Sequence, residues 1–108
     1  MISSRAIEAK RVEAVAGAAK TIVDEVAYTD QAAAIDKDGN EIDPRSSDAV
    51  AWSAIGAIIK AIWEMQLTQG RANPTRAAIL KDALETTSAK ATGKLDSLSH
   101  VDALIALR

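Results

Sequence analysis

Residues 48–68, DAVAWSAIGAIIKAIWEMQLT, constrain the fold more than any other stretch. Projected at 100° per residue, Ser53, Ala57, Lys60 and Glu64 form one narrow, weakly polar strip. Val50, Trp52, Ile55, Ile58, Ile59, Ile62, Trp63 and Met65 cover most of the remaining circumference. A helix that is apolar on most sides needs neighbours on most sides, so this one is expected at the centre of its domain. The competing reading is a membrane span, with the two tryptophans as an interfacial belt. The apolar run from Ala49 to Trp63 contains Lys60 and falls short of the roughly 20 residues a bilayer needs. A buried helix and no membrane partner are therefore expected.

The neighbours must come from the same 108 residues, enough for one domain and no more. Ser4 to Tyr28 reads as a first helix, with Val12, Val15, Ala19, Ile22, Val23 and Val26 as its buried stripe and Ser3 or Ser4 as its cap. Asn73-Pro74 restarts the chain as cap and first residue of a third helix over 74–92. Its core face is Ala77, Leu80, Leu84, Thr87 and Ala91, and Gly70 and Gly93 serve as stops. Ser99-His100-Val101-Asp102 has the spacing of a capping box before a short last helix, VDALIALR. Alanine fills 23 positions and Phe none, which favours helices packed close together. Between the first two helices the helical period is lost, and AAAI-DKDGN-EI suggests a small turn or hairpin at 32–43. Ser46, Ser47 and Asp48 offer caps for the second helix. The expectation is a mainly α domain, residues 1–108, with a three-helix core, a short C-terminal helix and that hairpin.

The hairpin DKDGNEID is the one segment that resembles a metal loop. An EF-hand places ligands at positions 1, 3, 5, 7 and 9, Gly at 6 and Glu at 12. Counting from Asp36, Asp38 and Asn40 fit, but position 6 is Glu41, position 9 is Pro44 and position 12 is Ser47. The loop lacks both its permissive turn residue and its bidentate ligand, so an acidic turn is expected and no metal. The chain has no cysteine, which removes disulfides, thiolate chemistry and Cys-based zinc sites. His100 is the only histidine, and its neighbours Asp96, Ser97, Ser99 and Asp102 are better explained by capping than by a triad. The glycines are scattered and form no phosphate loop. No enzyme and no cofactor are expected. MISSRAIEAKR has no apolar core, so no secretory leader is expected, and the expected setting is cytoplasm or a virion.

Charge is distributed unevenly. Residues 24–48 carry eight acids and two bases, and 69–94 carry five bases and two acids. Such faces can steer association with a complementary partner. Asp36, Asp38, Glu41, Asp43, Arg71, Arg76, Trp52 and Trp63 are the candidate protein-interaction residues. A second reading takes the second helix, GRANP and the third helix as a helix-turn-helix, with Arg71, Arg76 and Lys81 toward DNA. Asp82, Glu85 and the net charge of −2 weigh against it.

DKDGNEIDPRSSDAVAWSAIGAIIKAI resembles a family of small uncharacterised proteins of tailed phages and actinobacteria. The residues that carry the likeness are Asp38-Gly39, Pro44, Ala49-Val50 and Gly56-Ala57-Ile58, and HVDALIALR is similar to that family's closing helix. The resemblance implies a phage or bacterial context rather than an activity. The function expected is that of a non-enzymatic structural or interaction protein, a candidate virion-associated component packing against itself or other subunits. The alternative is a small DNA-binding or host-interaction regulator.

Overall fold

A computed structural model describes residues 4–67, 75–91, 95 and 97–108. The described elements run α1 (Ser4–Thr21), a 3-10 turn (Glu25–Ala27), β1 (Ala34–Ile35), β2 (Ala51–Trp52), α2 (Ala54–Glu64), α3 (Arg76–Lys90) and α4 (His100–Ala106). The chain is mainly helical, as the alanine content requires. The predicted stops at Gly70 and Gly93 and the predicted cap at Asn73 lie outside the described residues.

α2 is central, packing on α1, α3 and β2. It is shorter than its apolar pattern suggests. The helix does not begin at residue 48 with a cap from Ser46, Ser47 or Asp48, because Ala51 and Trp52 are extended and pair antiparallel with Ile35 and Ala34. Val50 N–H donates to Ile35 O at 2.9 Å and Ser53 N–H to Ala33 O at 3.1 Å. Those ladder bonds take the backbone groups that another turn of helix would have used. Ser53 is then the cap, its Oγ accepting from Gly56 N at 3.2 Å. Gly56 is required here, since a Cβ would lie 1.7 Å from Ala33 O. At the other end, Gln66 takes the left-handed conformation with φ 45°, so α2 stops at Glu64 rather than running to 68.

The buried side of α1 also differs from the stripe expected. Ala14, Val15, Ala18 and Ile22 are buried, while Val12, Val23 and Val26 are exposed. The cause is the close approach of α2: a Cβ on Gly17 would touch that of Ala61 at 3.4 Å. Small side chains meet at that contact, and the larger valines are turned outward. α1 ends at Thr21 rather than at 28, and Glu25–Ala27 form a separate 3-10 turn. In α3 the buried residues are Ile79, Ala83 and Thr87, with Leu80, Leu84 and Ala91 at the margin and Ala77 exposed. Thr75 caps α3 through Ala78 N. Ser99 caps α4 by accepting from Asp102 N, as its spacing predicts.

Candidate functional site: a hairpin, a tryptophan cluster and an apolar groove

The acidic segment folds as a turn. Asp36 Oδ1 accepts from the backbone N–H groups of Asp38 (2.9 Å) and Asn40 (3.0 Å), and Gly39 takes φ 81°. Ile35 bridges Glu41 across this turn, so β1 pairs on one side within the segment and on the other with β2. The first oxygen a metal loop would use thus satisfies the protein's own backbone. Among the described residues no group of three acidic or histidine side chains is placed to hold a metal ion. Asp38 and Glu41 stay exposed.

Asp43 belongs to a different cluster. Its carboxylate takes two side-chain bonds from Arg45, at 3.0 and 2.7 Å, and the Arg45 backbone N–H at 2.8 Å. These bonds hold its pKa at about 2. The Arg45 guanidinium lies 4.6 Å from the Trp63 ring centre, and that of Arg76 lies 5.1 Å from the same ring. Trp63 therefore carries two cation–π contacts. Trp52 Nε1 donates to Pro44 O at 2.9 Å, which anchors the acidic segment to β2. Lys60 sits 5.3 Å from the Trp52 ring centre. The structure thus gathers Asp43, Trp52, Trp63 and Arg76 and leaves Asp36, Asp38 and Glu41 on the hairpin. Arg71 lies outside the described residues.

His100 connects two elements. Its Nε2 lies 2.6 Å from Ile22 O, the geometry of an Nε2–H donating to that carbonyl, and its ring packs 5.2 Å from that of Tyr28. Tyr28 in turn donates its hydroxyl to Leu98 O. Burial, with the charges of Asp30 and Asp102, pushes the Tyr28 pKa up to about 12. Together these side chains tie the start of α4 to the end of α1.

A groove of about 620 Å³ separates α1 from α4. Its apolar wall is Val12, Val15, Ala19 and Val23 on one side and Leu104 and Leu107 on the other. Val12 and Val23 are 53% and 61% exposed, and on α4 Val101 and Ile105 are 64% and 49% exposed. Among the described residues the charged lining consists of Arg11, Lys20, Lys90 and Arg108, with no carboxylate side chain. Arg11 Nε lies 2.8 Å from Asp82 Oδ2, a contact of charge rather than an aligned hydrogen bond. Lys90 Nζ donates to Arg108 O. Sequence reasoning missed this groove because it assigned Val12 and Val23 to the core.

Among the described residues no helix is long and apolar enough to cross a membrane. No family model matches the chain, and neither a curated protein nor a solved structure is significantly similar to it.

Proposed function

We propose that this protein is a non-enzymatic interaction module that packs between subunits of an assembly, with the α1–α4 groove as its docking face. The observation that carries the reading is the exposure of Val12 on α1 and of Val23 just beyond its end, across the groove from Leu104 and Leu107. An apolar surface of this kind loses free energy to water at about 25 cal/mol per Å² and is stabilised by being covered. The apolar sides of α2 are used inside the subunit, where Ala54, Gly56, Ala57, Ile58, Ala61 and Ile62 are buried. The acidic hairpin offers a second contact of opposite charge. A virion-associated role fits the resemblance of DKDGNEIDPRSSDAVAWSAIGAIIKAI to small proteins of tailed phages and remains part of this proposal.

The test mixes the purified protein with the purified products of the genes adjoining its own and follows sedimentation velocity. The expected result is a co-sedimenting complex that Val12→Asp abolishes. A monomer at every concentration, alone and in every mixture, would remove the interaction role.

A further inference from the structure

The geometry points to an acidic amphipathic helix of a partner subunit as the occupant of the α1–α4 groove, an inference that rests on this face being the docking surface. Three features select that chemistry. The first is shape. From Arg11 to Lys20 the groove follows ten residues of α1, about 14 Å from first to last at the helical rise, which matches two to three turns of a docked helix. The second is charge. Arg11, Lys20, Lys90 and Arg108 edge an apolar wall; Asp82 at 2.8 Å and Glu8 at 3.9 Å offset Arg11, and Lys90 is bonded to Arg108 O. A helix with an apolar stripe flanked by Glu or Asp fills the wall and brings carboxylates to those cations. A neutral helix would cover Lys20 and the Arg108 guanidinium, which have no acidic partner among the described residues, and that costs free energy.

The third feature argues against a second copy of this chain. A two-fold contact places the same patch on both sides, so one cation-edged wall would face another and bring no surplus of acid to it. A head-to-tail contact would offer the acidic hairpin instead. Its tip, Asp36 to Asn40, brings charge but no apolar side chain to fill the wall.

The experiment uses two synthetic peptides of about 15 residues, both with leucine at i, i+3, i+4 and i+7 positions. One carries Glu beside the leucines and its twin carries Lys. Binding to the intact protein is read by fluorescence anisotropy at low and high salt, and the bound face by amide chemical shifts. The Glu peptide is expected to bind about tenfold more tightly than its twin at low salt, with the difference shrinking as salt screens it. Shifts are expected at Val12, Ala16, Ala19 and Leu104. Lys20→Glu, alone and with Lys90→Glu, is expected to reverse the preference, with unfolding of each variant followed in parallel. Equal binding of the twins to the groove would overturn the acidic partner and leave the docking face standing. Binding of neither peptide would overturn both. Sodium decanoate that saturates the groove without competition from the Glu peptide would transfer the site to a small anionic amphiphile, and self-association through the groove would transfer it to a second copy. Either result overturns the inference.

Discussion

Gly56 is the residue with the least freedom. Its missing Cβ is where Ala33 O lies, 1.7 Å from the ideal position. Gly56→Ala must push β1 and α2 apart, and the expected loss is about 3 kcal/mol or more, the upper range of overpacking, measured by urea unfolding. Tyr28 gives a prediction in pH. Its pKa rises from 10.0 to about 12 on folding, so the folded state prefers the neutral phenol. That contribution to stability is fully present below pH 10 and is lost as pH rises from 10 toward 12. Tyr28→Phe is expected to lower stability by about 1 kcal/mol at pH 8, through loss of the bond to Leu98 O. It should also flatten the decline above pH 10 relative to the native chain, checked by thermal melts across that range. Neither role was legible in the sequence, because both depend on what lies opposite: Ala33 for the glycine and Leu98 for the tyrosine.

At the scale of elements, two pieces of local chemistry were legible because the partners are close in the chain. Ser99 caps α4, and the 36–40 turn closes around Asp36 and Gly39 as their types suggest. The start of α2 was not legible. Apolar periodicity continues back to residue 49, yet the backbone of 50–53 pairs with 33–35, and an extended ladder excludes a helical one. This makes Ser53 the cap, so Ser53→Ala is expected to cost about 1 kcal/mol where Ser46→Ala changes little, both read by chemical denaturation. Ile58 and Ile62 are fully buried in the central helix. Replacing either by Ala is expected to cost 2–5 kcal/mol, the range for truncating a buried large side chain.

The whole molecule is a thin body, 42 × 30 × 18 Å, with a radius of gyration of 13.5 Å. A slab of that thickness has room for one central helix, α2, while α1 and α4 keep an outer face. The groove is the consequence: Val15 and Leu107 in its wall belong to the core, while Val12 and Val23 are left exposed. Val12→Asp, at a side chain 53% exposed, is expected to change stability by less than about 0.5 kcal/mol while abolishing binding of the Glu-bearing peptide. Unfolding curves and anisotropy on the same sample check both halves. By itself the sequence determined that the chain is helical, that alanine-rich faces pack closely, and that 36–43 is an acidic turn. Propensity, side-chain size and short-range hydrogen bonding act within a few residues, so they can be read along the chain. Only the tertiary structure decided which side of α1 is covered and where α2 begins. Both are outcomes of competition, between small and large side chains for one close contact and between strand and helix for the same backbone groups. The winner of each is set by residues far away in sequence.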